Sequence, residues 1–325
     1  MIKLNRLAIP LAAAGIVLAS VVPGVASNIK DAKVDTTSSC GLLKIAVNNW
    51  VGYEADAFVV GQVAKKRLGC IVNYVYVDEQ ISWQGFAAGN VDVVLENWGH
   101  PELFDLYQKK LRVAEDAGSI GINGVIGWFV PPWMAKKYPD ITDWKNLNKY
   151  SKLFKTSESG SKGQLLDGDP GFVTNDEALV KNLKLNFKVV FAGSEAALIQ
   201  AFRSAERTKT AMIGYFYSPQ WFLAEVPLVK VNLPTYKTGC DAVAAKIACD
   251  YPIYKLDKIV SKDFANRGTS GYKLIKNFQW STKDQNVVAK YITADGMEPE
   301  QAADKWIADN PNKVNAWLKG LVKGA

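Results

Sequence analysis

Apolar segments of strand length alternate with amphipathic segments of helix length along this chain. In the first part, segments 42–47, 71–77 and 91–95 are typical of strands, and 54–67 and 82–88 are typical of helices. This β-α-β-α-β order predicts a parallel sheet covered by helices. The chain has 325 residues. Because a single core rarely grows beyond ~250 residues, we expect two domains.

The same alternation continues in the rest of the chain. The predicted strands are 125–130, 152–156, 188–191 and 210–215, and the predicted helices are 177–183, 195–206, 272–278, 283–294 and 300–308. We therefore predict an α/β protein of two lobes, the first formed by 40–125 and 255–325 and the second by 126–254. A small-molecule site is expected between them, where ligand pockets commonly form.

The N-terminal segment 1–27 has the composition of a secretory signal peptide. Lys3 and Arg6 precede an apolar stretch, 7–22, and small residues follow it. That order of positive, apolar and small residues directs export, and the apolar stretch is shorter than the ~20 residues that a membrane span needs. We expect the mature protein to be soluble in the periplasm or at the cell surface.

Export makes the four cysteines interpretable, because an oxidising compartment favours disulfides. Four cysteines allow three pairings. Cys40 and Cys70 each precede a predicted strand, so they meet if those strands are parallel neighbours. Cys240 and Cys249 would then close a short loop. The spacings contain no CxxC pattern, so we predict no metal site.

Charge and histidine content exclude two broad classes of function. The formal charge is +7, but the lysines are dispersed and no basic run of five or more residues occurs, so we expect no nucleic-acid partner. The only histidine, His100, leaves little scope for histidine-based catalysis. We therefore predict a binding protein that is not an enzyme and needs no cofactor.

Four aromatic residues occur in loops at which an α/β fold positions its ligand. Trp50, Trp98 and Tyr217 follow predicted strands, and Phe172 lies in a loop of the middle region. Ligands of parallel α/β sheets bind beyond the carboxyl ends of the strands. Several ring faces around one point attract a cation that has no N–H to donate, such as a quaternary ammonium group. The pattern predicts an aromatic cage.

Several motifs resemble those of the substrate-binding proteins of ABC importers for glycine betaine and related compatible solutes. They are the segment 50–54, VDVVLENWGHPE at 91–102, GDPGF at 168–172, YFYSPQW at 215–221 and the closing pattern at 295–318. The resemblance spans roughly residues 44–318. It implies a type II periplasmic-binding-protein fold with two hinged lobes, a monomer, an ABC permease as partner and a trimethylammonium ligand.

The resemblance also implies roles for individual residues. Trp98 matches the cage tryptophan of the first lobe, and Asn97, which precedes it in the most specific motif, is a further candidate ligand contact. Phe172 and Tyr217 match cage rings that are usually tryptophan, and Trp50 matches an additional ring of choline-type relatives. The backbone N–H groups of the two residues after Phe172, which are Val173 and Thr174, match the donors that hold a ligand carboxylate in some relatives.

Three polar residues lie next to these rings, and the sequence leaves their roles open. His100 either contacts a carboxylate or is an ordinary loop histidine. Glu54 and Glu96 are close to the predicted cage, and one carboxylate there would favour choline, whereas none would favour a betaine. Alternative ligands are carnitine, trimethylamine oxide or an amino acid. A last alternative is an extracellular enzyme that uses Glu54 and Glu96.

Overall fold

A computed structural model of the protein describes residues 40–322, so the predicted signal peptide lies outside the described residues. Within that range the strands form one mixed sheet of nine. They are β1 (Leu42–Val47), β2 (Ile71–Tyr76), β3 (Val93–Asn97), β4 (Ala114–Val130), β5 (Gly163–Asp167), β6 (Phe187–Phe191), β7 (Gly214–Ser218), β8 (Val229–Lys230) and β9 (Ile253–Ser261).

The sheet consists of two parallel halves that are joined by antiparallel strands. Its order is β2-β1-β3-β9-β4-β7-β5-β6, with β8 paired to β4. β1 is parallel to β2 and β3, and β5 is parallel to β6 and β7. Between the halves, β9 runs antiparallel to both β3 and β4, and β4 runs antiparallel to β7. The predicted α/β class is confirmed, and the lobe boundaries at 126 and 254 stay a prediction.

Helices cover the sheet. They are α1 (Val51–Leu68), α2 (Glu79–Ala88), α3 (Pro101–Leu103), α4 (Pro132–Lys137), α5 (Leu147–Tyr150), α6 (Asp176–Asn182), α7 (Glu195–Thr208), α8 (Lys262–Arg267), α9 (Ser270–Asn277), α10 (Thr282–Thr293), α11 (Pro299–Asp309) and α12 (Pro311–Trp317). α1 is buried over most of its surface because it lies between the sheet and α9, α10 and α11. No helix within residues 40–322 combines the length and the hydropathy that a bilayer span requires.

The strand predicted at 152–156 is wrong. Ser151–Phe154 forms a 3-10 turn, and the strand of this region is β5, which begins at Gly163. Ser151 and Phe154 are both buried. Their spacing of three matches the period of a 3-10 helix, in which residues i and i+3 share a face. The burial of the two residues thus fits a helical turn and not a strand.

β4 is much longer than the predicted strand 125–130, because its first part is bulged. Gly118 and Gly121 have φ values of 89° and 91°, in the region that favours glycine. The register with β9 shifts between Asp116 and Ser119 and again before Asn123. A bulge adds an unpaired residue and interrupts the alternation of side chains. The alternation that identifies a strand in the sequence is therefore lost there.

Both predicted disulfides are present in the structure. Cys40 lies two residues before β1 and Cys70 immediately before β2; these strands are parallel neighbours, and the two Cα atoms are 4.8 Å apart. Cys240 and Cys249 close a short loop, with Cα atoms 6.4 Å apart. Sequence reasoning found the first pair because adjacent parallel strands begin at the same edge of a sheet.

A buried lysine on β9 titrates far from its ordinary range. The side chain of Lys258 has no exposed surface. Its Nζ donates hydrogen bonds to the carbonyl oxygens of Lys276 at 3.1 Å and of Phe278 at 2.6 Å. Burial lowers the pKa of Lys258 from 10.5 to about 7, and the charge of Lys276 adds to the shift. The neutral amine still has two N–H bonds for the two carbonyls.

This lysine should make the unfolding free energy of the protein increase with pH in the alkaline range. Between about pH 7 and pH 10.5 the unfolded state binds more protons at this site than the folded state does, so stability should rise with pH. We expect the difference in unfolding free energy between the wild type and Lys258→Met to shift in favour of the wild type from pH 7 to pH 9. Denaturant titrations of both proteins measure it, and a difference independent of pH would contradict the assignment.

Candidate functional site

Five aromatic rings from the two half-sheets meet at one site. The centroids of Trp50 and Phe172 are 5.8 Å apart, and those of Trp98 and Tyr217 are 5.7 Å apart. Phe172 lies 6.1 Å from Tyr217, and Tyr215 lies within 6.4 Å of both. All five side chains are buried. The structure thus brings together the four predicted rings and adds Tyr215.

Each ring is positioned by a secondary-structure element. Trp50 is the residue before α1, in the turn after β1, and Trp98 directly follows β3. Phe172 lies in the loop after β5. Tyr215 and Tyr217 are both on β7, two residues apart, and so point to the same face of the sheet. Rings from both half-sheets therefore share one site.

The rings enclose a small cavity. The free volume between them is about 20 Å³, and its wall consists of the five rings, Ile126, Val173 and Glu79. That is about the space of one water molecule, so the rings have to move apart to admit a larger ligand. No lysine or arginine of residues 40–322 contributes to the wall. The composition of the wall suits a ligand with a large apolar or cationic part.

Behind the rings, Glu96 holds both tryptophans with one oxygen. Its Oε1 accepts hydrogen bonds from Nε1 of Trp50 at 3.0 Å and from Nε1 of Trp98 at 2.7 Å. Its Oε2 accepts from Nε2 of Gln285 at 2.7 Å. Burial raises the pKa of Glu96, and burial together with the charge of Glu96 raises the pKa of Asp56 beside it. Glu96 therefore orients the two indoles.

Glu79 is the carboxylate of the cavity wall. It begins α2, and its Oε1 accepts a hydrogen bond from the backbone N–H of Trp98 at 3.0 Å. Its Oε2 lies 3.1 Å from Nε2 of His100, whose Nδ1 lies 3.3 Å from Glu102. Burial lowers the pKa of His100, but the two carboxylates outweigh this effect and the net shift is upward. The two carboxylates therefore favour the protonated form of His100.

A second acidic pair lies behind the rings that come from the other half-sheet. Asp176 accepts hydrogen bonds from Nε1 of Trp128 at 2.7 Å and from the hydroxyl of Tyr251 at 2.6 Å. Asp167 accepts from the hydroxyl of Thr174 at 2.7 Å. Burial raises the pKa of Asp167 to about 6. These contacts fix the loop that carries Phe172.

Four residues that we predicted as ligand contacts do not line this cavity. Asn97 and His100 are buried next to Trp98 and border a neighbouring groove together with Thr174. Glu54 borders a different groove, in the first turn of α1. Of the two predicted backbone donors, Val173 reaches the wall. Neither its N–H nor that of Thr174 donates to a protein group within residues 40–322.

Sequence reasoning missed Tyr215, Ile126 and Glu79. Tyr215 lay at the end of a predicted strand, 210–215, whereas β7 begins at Gly214. Glu79 follows β2 closely, so the strand-end rule that identified the rings applies to it as well. The position of Glu79 in the sequence is therefore the signal that identifies this carboxylate.

The fold and the cavity define a two-lobed solute-binding protein of the type II periplasmic class. Residues 41–309 match the family described as the substrate-binding domain of ABC-type glycine betaine transport systems. The chain belongs to this family, which confirms the resemblance found in the sequence. It is a substrate-binding component of an ABC importer.

Two curated relatives illustrate the family. The chain is 27% identical to the trimethylamine N-oxide-binding protein of Pelagibacter ubique (strain HTCC1062) over 296 residues, which cover 85% of this chain and 90% of that protein. It is 28% identical to the glycine betaine/carnitine transport binding protein GbuC of Listeria monocytogenes over 130 residues, or 40% of this chain and 39% of that one. The names of these relatives include different methylated ammonium compounds.

Solved structures share the fold. An ABC-transporter choline-binding protein in complex with choline has a TM-score of 0.70 at 20% identity, over 87% of this chain and 93% of that one. Lactococcal OpuAC, closed on glycine betaine, has a TM-score of 0.66 at 23% identity, over 85% of this chain and 99% of that one. These similarities confirm the predicted type II fold.

The cage has no room for a side chain at Gly124 of β4. A Cβ there would touch Cζ3 of Trp98 and lie 2.8 Å from its Cη2. We expect Gly124→Ala to displace the indole and to lower the unfolding free energy by about 1–3 kcal/mol, as overpacking does. The indole N–H resonance of Trp98 in a ¹H–¹⁵N NMR spectrum reports the displacement.

Gly127→Ala is the matched control, on the same strand. Its Cβ would meet the flexible end of Lys230, which can move away without disturbing the cage. The Trp98 resonance should therefore stay in place in this variant. An unmoved Trp98 resonance in Gly124→Ala would show that the contact does not position the ring.

Proposed function

We propose that this protein is exported and captures a small methylated ammonium compound, glycine betaine or a related osmolyte, in its aromatic cage. It closes two lobes around the ligand as a monomer and delivers it unchanged to an ABC permease. The observation that carries the proposal is the cavity of five rings, to which both half-sheets contribute. Export is supported by the signal-like segment 1–27 and by the two disulfides.

The physical basis is the attraction between a cation and aromatic faces. A trimethylammonium group has no N–H donors, so it gains little from carboxylates that need a hydrogen bond and much from ring faces. Each desolvated ring contributes up to ~2 kcal/mol. Buried carboxylates such as Glu96 and Glu79 add long-range attraction for a positive ligand, since charges in a buried site are weakly screened.

Two features of the wall bear on the other end of the ligand. The N–H groups of Val173, in the wall, and of Thr174, in the adjacent groove, have no acceptor among residues 40–322 and suit the carboxylate of glycine betaine or the oxygen of trimethylamine oxide. Glu79 suits a donor, such as the hydroxyl of choline, and would repel a carboxylate. The trimethylamine oxide and glycine betaine relatives support the first preference, and the wall carboxylate supports choline as a second candidate.

The geometry of the acidic residues supports binding without catalysis. Both oxygens of Glu96 are engaged by Trp50, Trp98 and Gln285, and so they are not available as an acid or base. Glu54 lies outside the cavity wall. An NMR spectrum of the ligand recovered after incubation should therefore equal that of the starting compound, and the appearance of any product would favour the enzyme alternative.

Isothermal titration with glycine betaine, choline, carnitine and trimethylamine oxide tests the proposal. We expect at least one to bind the wild type, and Trp98→Ala to weaken binding about fivefold or more, because a lost cation–π contact is worth ~1 kcal/mol or more. Trp133→Ala is the control, since Trp133 lies in a different, surface groove. The proposal fails if none of the four compounds binds, or if the two variants weaken binding equally.

Glu79→Gln separates the two ligand candidates. The amide oxygen of glutamine can still accept the Trp98 N–H, so the loop should keep its place. Choline should bind about fivefold or more weakly, because a hydrogen bond to a charged group is worth ~1 kcal/mol more than a neutral one. Glycine betaine should bind as well as before or more tightly. Equal changes for both ligands would mean that Glu79 does not face the distinguishing group.

A further inference from the structure

One side-chain hydrogen bond joins the two predicted lobes. Oε2 of Glu195, in segment 126–254, accepts the backbone N–H of Val51 at 3.0 Å. Within residues 40–322, no other side-chain hydrogen bond connects segment 126–254 with the rest of the protein. Apolar contacts also join the two segments, among them the ring pairs of the cage and the packing of α10 on the turn Trp221–Ala224. Among the described residues, Glu195 is therefore the side chain whose hydrogen bond links the two predicted lobes.

The same carboxylate also binds a ring of the cage. Its Oε1 accepts hydrogen bonds from the hydroxyl of Tyr217 and, at 2.5 Å, from Nε2 of Gln220. Val51, which it contacts with Oε2, directly follows the cage residue Trp50. One side chain thus connects a ring of one lobe with the helix start next to a ring of the other.

The partner groups suit a carboxylate. Val51 is the first residue of α1, and the first N–H groups of a helix lack partners within the helix and carry its positive partial charge. Glu195 is itself the first residue of α7, where a negative side chain is also favoured. Glu195 is buried, with 7% of the residue's surface exposed, so its contacts are weakly screened by water.

Glu195 lies between the cage and solvent. It borders an open groove whose other walls include Asn49 and Tyr76 on one side and Ser194 on the other. Residues of both predicted lobes line this groove, which runs past Trp50 of the cage. A contact at this position can form only when the two sides have approached each other.

We propose that Glu195 is a positioning residue that latches the lobes closed around the ligand. Its hydrogen bond to the Val51 N–H forms on closure, and the same carboxylate holds Tyr217 in the cage. The latch slows the opening that releases the ligand. The effect of the latch on ligand release rests on the proposed function, that is, on the protein binding a ligand in the cage.

Stopped-flow tryptophan fluorescence with glycine betaine, choline and trimethylamine oxide as probes tests the latch. Glu195→Gln replaces one acceptor oxygen with an NH₂ group. This group cannot accept, so at least one of the three hydrogen bonds to Val51, Tyr217 and Gln220 is lost. We expect it to raise the dissociation rate constant about tenfold and to change the association rate constant by less than about twofold, since mutations within one interface act mainly on dissociation. Glu195→Ala should have a larger effect in the same direction.

Glu206→Gln is the matched control. Glu206 is on the same helix and also accepts a backbone N–H, that of Trp133 at 3.1 Å, but both partners belong to segment 126–254. Its kinetics should equal those of the wild type. The latch is wrong if Glu195→Gln leaves the dissociation rate constant unchanged or weakens binding through the association rate constant. It is also wrong if Glu206→Gln has an effect equal to that of Glu195→Gln.

Small-angle X-ray scattering of the ligand-free proteins provides a test that needs no ligand. Both Glu195 variants should have a larger radius of gyration than the wild type and Glu206→Gln, and equal radii would overturn the latch. If the wild type binds none of the probes, the proposed function fails and scattering alone decides on the latch. If Glu195→Ala does not fold, the nearly isosteric Glu195→Gln carries both tests.

Discussion

The candidate site depends on one buried oxygen, Oε1 of Glu96, which accepts the indole N–H groups of both Trp50 and Trp98. A buried indole without an acceptor would lose the free energy of desolvation, about 1–3 kcal/mol for each group. The two rings are therefore held in one arrangement before any ligand arrives. With their polar edges engaged, only their carbon surfaces remain for the cavity.

A shell of buried acids surrounds the rings. It comprises Asp56, Glu79, Glu96, Asp167, Asp176 and Glu195. Burial raises the pKa of most of them, as it does for Glu96, and the charge of a neighbouring acid adds to the rise for Asp56, Asp176 and Glu195. Such a shell is unfavourable for an empty protein but favourable for one that holds a cation. Rings act over a few ångströms and charges over longer distances, so the two kinds of attraction complement each other.

The sequence was sufficient for the parts of the fold and site that follow simple periodicity. The rings Trp50 and Trp98 were found because each follows a clear strand, and the fold class followed from strands alternating with helices. Tyr215 was missed because the predicted strand ended where β7 had barely begun. Glu96 was noticed, but its two indole partners depend on β1 and β3 being neighbours, and this is a long-range property that no local pattern reveals.

The composition of the cavity wall has a consequence for how ligand preference can change. Seven of the eight wall residues are aromatic or aliphatic, and one, Glu79, is charged. Ring faces hold a methylated ammonium group whatever is attached to it, so they set how tightly such compounds bind as a class. The choice among those compounds is left to one carboxylate and a few backbone donors. A descendant of this protein can therefore acquire a new ligand through very few substitutions while keeping its cage intact.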